Sequence, residues 1–188
     1  IGPKKNYEQW IGIAPFAAHQ GKVYPERLMR QVIGMVVGRF PSARLFLFGR
    51  GQEEERTFDK WCAEEPRCVN VSRHLEAMQQ ELILMSHLDL MLSMDSANMH
   101  LASIVGTPVV SVWGATHPAA GFMGWNQAAD RAVQIDLPCR PCSIYGNKPC
   151  LRGDYACMKN IPPEQIVERM AFVLAKTRAS EKALRERE

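Results

Sequence analysis

Residues 88–118, LDLMLSMDSANMHLASIVGTPVVSVWGATHP, decide the fold. An apolar-rich run, Leu88 to Met94, leads straight into Asp95 and Ser96. Both are residue types that favour the first position of a helix. The segment from Ser96 to Val105 then reads as a helix, with Gly106 placed to end it. A second apolar run follows at once, Val109 to Trp113 (VVSVW). Two buried strands joined by a helix over such short connections form a unit whose strands lie parallel.

The same alternation extends in both directions. Upstream, Trp10 to Phe16 reads as a strand, and a helix starts near Pro25 with Leu28, Val32 and Val36 on one face. Arg44 to Phe48 is a second strand, and the acidic run from Glu53 opens a second helix, where negative charge complements the helix N-terminus. Cys68 to Ser72 and Glu76 to Met85 supply a third strand and helix. Downstream, Ala132 to Ile135 is a sixth strand, and a final helix begins near Pro162 and Pro163. The expected fold is therefore α/β: a Rossmann-like doubly wound parallel sheet of about six strands. A single domain over residues 1–188 is expected, with a core at 8–136, a cysteine-bearing loop at 137–160, a C-terminal helix at 161–180 and a charged tail at 181–188.

Composition narrows the function. A chain of 188 residues with 46% hydrophobic and 23% charged residues can bury a substantial core. A net charge of +3, with basic and acidic residues interspersed, does not suit a nucleic-acid binder, though it tolerates an anionic ligand or an acidic membrane surface. No apolar stretch is long enough to span a bilayer, and the start Ile1-Gly2-Pro3-Lys4-Lys5 lacks the apolar core of a signal peptide. That abrupt start, just ahead of a strand, reads as that of an excised domain. The ten methionines read as flexible core filler.

Ligands of such sheets bind beyond the carboxyl ends of the strands, where the strand order reverses. Of the segments there, Met94 to His100 is the most informative. The exposed N–H groups and dipole of a helix starting at Ser96 suit an anion such as a diphosphate. Small Ser96 and Ala97 admit it close to the backbone, and His100 lies one turn on. A bare N-cap at Asp95 or Ser96 is the competing explanation. Lys22, in the loop after the first strand, is a candidate phosphate-binding ammonium or simply a solvated charge. Glu53, after the second strand, is a candidate for ribose hydroxyls or merely decorates a helix start. Neither GxxxxGK[ST] nor GxGxxG occurs. Cys139, Cys142, Cys150 and Cys157 fall in a loop rich in Pro and Gly. Their spacing suggests a structural tetrathiolate zinc, with two disulfides or reduced, packed thiols as alternatives.

Positions 95 to 118 resemble the glycosyltransferase family 9 segment in which Asp-Ser/Thr-Gly-x-x-His precedes a Gly-Thr/Lys-Pro strand entry and a Phe-Gly-x-Thr turn. Positions 11 to 28 are similar to that family's first strand, loop and Lys-x-Trp/Tyr-Pro helix start, and positions 139 to 158 to a cysteine cluster seen in many members. The family includes the lipopolysaccharide heptosyltransferases. The resemblance runs over the C-terminal half of its two-domain GT-B architecture, whose C-terminal domain binds the nucleotide-sugar donor. It implies an inverting glycosyltransferase that uses no catalytic cofactor. Its donor is ADP-heptose and its acceptor a lipopolysaccharide core, taken by the N-terminal half, which also supplies the catalytic base. Lys22 would contact the diphosphate, Glu53 the ribose and Asp95 the sugar hydroxyls. Ser96, Ala97 and His100 would line the phosphate end. A cytoplasmic setting, with a peripheral contact at the inner membrane, is expected. A nucleotide-sugar epimerase of like architecture and a non-catalytic nucleotide-binding module are the rival functions. Ala97 stands where the family usually has Gly, and Ala17 and Ala18 where heptosyltransferases tend to carry hydroxyls.

Overall fold

The computed structural model describes residues 1–185. In chain order its elements are β1 (Gln9–Ala14), α1 (Glu26–Arg39), β2 (Ala43–Leu47), α2 (Gln52–Glu64), β3 (Cys68–Asn70), α3 (Met78–Ser86), β4 (Leu90–Met94), α4 (Ala97–Ile104), β5 (Val109–Val112), β6 (Ala132–Val133), α5 (Ala156–Lys159) and α6 (Pro163–Arg185). The six strands form one sheet in the order β3-β2-β1-β4-β5-β6, with every neighbouring pair parallel. This is the expected doubly wound sheet. The order reverses between β1 and β4, whose register pairs Ala14 with Ser93, so the crevice opens just past those two residues.

Period-two alternation assigns the strand side chains to two cores. Ile11, Ile13, Leu45, Leu47, Leu92 and Val112 face one side, where Val32 and Val36 of α1, Phe58 and Trp61 of α2, and Ile166 and Met170 of α6 cover them. Trp10, Phe46, Met91 and Val109 face the other, under Leu84 and Met85 of α3 and Met99 and Ala102 of α4. Strands buried on both faces explain why β1, β4 and β5 read as apolar runs rather than alternating ones. Met29, Met85, Met91, Met94, Met99, Met158 and Met170 are all buried, as core filler should be, whereas Met78 is exposed.

Several boundaries differ from the sequence reading, each for a local reason. The N–H groups of Glu76 and Ala77 bond the Gln80 side chain, so α3 starts at Met78. Leu88 is still tied to the end of α3 by its N–H, so β4 begins two residues later. The third strand stops at Asn70 and turns into a short 3-10 segment over Val71–Arg73. The cysteine-bearing loop carries its own short helix, α5. The C-terminal helix continues through Arg185, so residues 181–185 of the expected charged tail are helical, and residues 186–188 lie outside the described residues. Among the described residues no helix is long and apolar enough to cross a membrane.

Candidate functional site

At the switch in strand order a cavity of about 680 Å³ lies beyond the strand ends. Its size falls in the range of small-molecule sites. Sheet order determines which residues line it. From the β2 side come Phe48, Arg50 and Glu54; from β1, Ala17, Ala18, His19 and Lys22; from β4, Asp95, Ser96, Ala97, Asn98, His100 and Leu101. Phe122 and, from the cysteine-bearing loop, Ile144 and Tyr145 complete the wall. Phe122 and Tyr145 meet edge to face at 5.8 Å.

Lys22 and Asp95, 73 positions apart in the sequence, meet here. Lys22 Nζ lies 2.9 Å from Asp95 Oδ2, with the two side chains 17% and 5% exposed. Lys22 reaches this position because the chain around it is pinned. It ends a 3-10 turn over Gln20–Lys22, and Tyr24, fully buried two residues on, donates its hydroxyl to the Ile161 carbonyl at 2.7 Å. Asp95 is held by a further residue, Thr116, whose buried hydroxyl donates to the same Oδ2 at 2.7 Å. Nothing local in the sequence announces that bond, which spans 21 positions.

The start of α4 differs from the simple N-cap explanation. Ser96 holds the N-cap position in an extended conformation, but its side chain bonds no helix N–H. Its hydroxyl lies 3.2 Å from that of Ser93 instead. Asp95 is likewise committed to Lys22 and Thr116. The first turn of α4, with exposed Ala97 beside half-buried Ser96 and His100, therefore faces the cavity without a side chain closing it. Such a helix start attracts anions.

Glu53 is placed elsewhere. It is exposed, does not line the cavity, and its carbonyl accepts the Thr57 hydroxyl at 3.0 Å. Glu54 lines the cavity in its stead, its Oε2 accepting the Arg50 N–H at 3.0 Å. Burial pushes the Glu54 carboxyl above the ordinary carboxylate range. A signal for this was present in the sequence: Phe58 faces the core, and the residue one turn before it on the same face is Glu54. Arg50 closes that end of the cavity, donating to Glu81 Oε1 at 2.6 Å and to the Glu76 carbonyl at 3.1 Å.

The four clustered cysteines are all free thiols, and among the described residues no group of three or more His, Cys, Asp or Glu could hold a metal. The tetrathiolate arrangement expected from their spacing does not form. Two of the thiols sit in unlike surroundings. Cys157 sits on α5 and is buried in the core, where burial raises its thiol pKa. Cys150 instead sits in a turn where the N–H of Tyr155, ahead of those of Arg152, Gly153 and Asp154, holds its thiol below the ordinary range. Arg140, between Cys139 and Cys142, anchors the loop to the sheet. Its guanidinium donates to the carbonyls of Gly114, Ile135 and Thr116 and, at 2.9 Å, to Gln134 Oε1.

The chain resembles known proteins over much of its length. Residues 4–151 match the family model described as glycosyltransferase family 9 (heptosyltransferase). Lipooligosaccharide heptosyltransferase 2 of Campylobacter jejuni serotype O:2 is 31% identical over 86 residues, 46% of this chain and 26% of that protein. The fold superposes on ADP-heptose LPS heptosyltransferase II of E. coli with a TM-score of 0.68 at 16% identity, covering 92% of this chain and 48% of the other. It also superposes on the iron-containing dodecameric heptosyltransferase TibC, solved with ADP-D-β-D-heptose, with a TM-score of 0.64 at 16% identity, covering 93% and 47%. The chain thus spans about half the length of these solved structures, and its alignment about a quarter of the curated relative.

Proposed function

This chain belongs to glycosyltransferase family 9, and on that premise we propose that its cleft binds the nucleotide-sugar donor, ADP-heptose, for inverting transfer to a lipopolysaccharide core acceptor. The observation that carries the reading is the Lys22–Asp95 pair at 2.9 Å beside the open start of α4. One cation and one set of backbone donors converge where a diphosphate would lie, and a carboxylate adjoins them where sugar hydroxyls would lie.

The donor follows the order of the strands. The nucleoside lies toward β2, its ribose within reach of Glu54. The diphosphate lies over Ala97, between Lys22 and the first turn of α4, with His100 adding a donor. The sugar lies on Asp95. The ADP-heptose named with TibC and with the E. coli enzyme supports this choice of donor. In the reaction an acceptor oxygen forms the new bond to the anomeric carbon as the bond to the diphosphate breaks. The electron pair departs on the diphosphate, and the acceptor's proton passes to a carboxylate outside these residues. Lys22 and the α4 N–H groups stabilise the leaving charge, and fixed donors of this kind are commonly the largest catalytic contribution.

Calorimetric titration with ADP, ADP-heptose, and UDP- and GDP-sugars tests the reading. ADP and ADP-heptose are expected to bind, and Asp95→Asn to remove the extra affinity that the heptose confers over ADP. No heat with any of these nucleotides would refute it.

A further inference from the structure

The cysteine-bearing loop has a role in this cleft beyond closing it. We infer that Gly146 is a positioning residue for Lys22, and that through Lys22 it sets the affinity for a nucleoside diphosphate. The inference rests on the reading of Lys22 as the cation of the diphosphate.

A lysine ammonium sits on a flexible four-carbon stem, so its location depends on what confines that stem. Here the confining surface is the backbone of Gly146. Gly146 is buried and has a φ of +74°, and a Cβ added to it would lie 2.7 Å from Lys22 Cε, 2.8 Å from Cγ and 3.1 Å from Cδ. Three successive carbons of the lysine therefore lie flat against a residue that has no side chain.

The loop is tied down on both sides of this contact. The Gly146 N–H donates to Ser143 Oγ at 2.9 Å, and the N–H groups of Cys142 and Ser143 donate to the Ala115 carbonyl at 3.1 and 3.3 Å. The Ala115 N–H in turn donates to the Gly21 carbonyl at 2.9 Å. The turn that carries Thr116 to Asp95, the turn that carries Lys22, and the cysteine-bearing loop are thus bonded to one another in sequence. A methyl group at position 146 meets an anchored backbone on one side and a flexible stem on the other. The stem yields, and the ammonium leaves its place beside Asp95.

The test is calorimetric titration of the whole chain with ADP (UDP and GDP in the same series) and with adenosine. Wild type, G146A, K22A and the double variant are compared. G146A is expected to weaken ADP binding about tenfold, the size of one displaced charge-assisted hydrogen bond. Adenosine, which has no phosphate, should bind both proteins equally. The double variant should bind ADP no more weakly than K22A, because Gly146 acts only through that lysine. Wild-type affinity in G146A beside a weakened K22A overturns the inference and leaves Lys22 in its role. Losses that multiply in the double variant overturn it too. A wild type that binds no nucleoside diphosphate takes the functional reading down with it. If G146A fails to fold by circular dichroism, S143A, which frees the Gly146 N–H, takes its place, and unchanged ADP affinity there overturns the inference.

Discussion

Replacing Lys22 by Met removes one charge and keeps nearly the same stem, so it isolates the ion pair with Asp95. The carboxylate left behind is 4% exposed as a residue and, among the described residues, retains the Thr116 hydroxyl as its side-chain partner. Breaking a fully buried pair costs about 3–5 kcal/mol, because the remaining charge is desolvated and uncompensated. Lys22 is 17% exposed on the wall of an open cavity, and water entering that space reduces the penalty. A loss of about 2 kcal/mol follows. For a chain of this size that corresponds to a fall of about 4–8 °C in melting temperature. Adding Asp95→Asn removes the orphaned charge while keeping an acceptor for Thr116. The double variant should therefore recover to within about 1 kcal/mol of wild type. Urea unfolding of the four proteins at neutral pH measures the cycle. If Lys22→Met costs less than about 0.5 kcal/mol, or the double variant loses the full sum of the two singles, the buried-pair reasoning is wrong.

Two further outcomes test the frame around the site. Gly114→Ala would place a Cβ 2.4 Å from the Gly21 carbonyl and 2.6 Å from Met158 Cγ. A stability loss of about 3 kcal/mol is expected in the same unfolding assay, since neither the backbone oxygen nor the buried methionine has room to retreat. Alkaline pH tests the buried thiols. Burial, then the nearby Cys62 and Glu65 charges, pushes the Cys68 thiol up to about 12. Below about pH 8.5 folded and unfolded chains both keep that proton and the full stability is present. Above it only the unfolded chain ionises, so stability falls as pH rises toward the folded value, by at most about 1.4 kcal/mol per pH unit for this thiol. Cys62 and Cys157, raised mainly by burial, act in the same direction. Unfolding measured near pH 8 and near pH 10 should show a shallower decline in Cys68→Ala than in wild type; equal slopes would contradict the assignment.

The sequence by itself determined the sheet. Strands β1, β4 and β5 are buried on both faces, so each is written as a local apolar run, and helices appear between them as 3.6-residue periodicity. Right-handed crossovers and short connections make that sheet parallel, while the order β3-β2-β1-β4-β5-β6 and the position of the crevice came from the structure. The helix start from Asp95 to His100 was legible for the same reason: N-cap residue types and small residues are consecutive in the chain, directly after a strand.

What the tertiary structure decided are contacts between residues distant in sequence. The meeting of Lys22 with Asp95, and of Asp95 with Thr116, depends on strands β1, β4 and β5 lying side by side. The choice of Glu54 over Glu53 depends on the rotation of α2, a difference of one residue that moves a carboxylate from solvent into the cleft. The cysteines show the opposite case. Their spacing is a strong local signal, yet spacing does not fix where side chains point, and among the described residues the four free thiols make no group that could hold a metal. Gly146, silent in the sequence, bounds the site because another loop's lysine lies across it. Local chemistry wrote the elements; only their packing assembled the cleft.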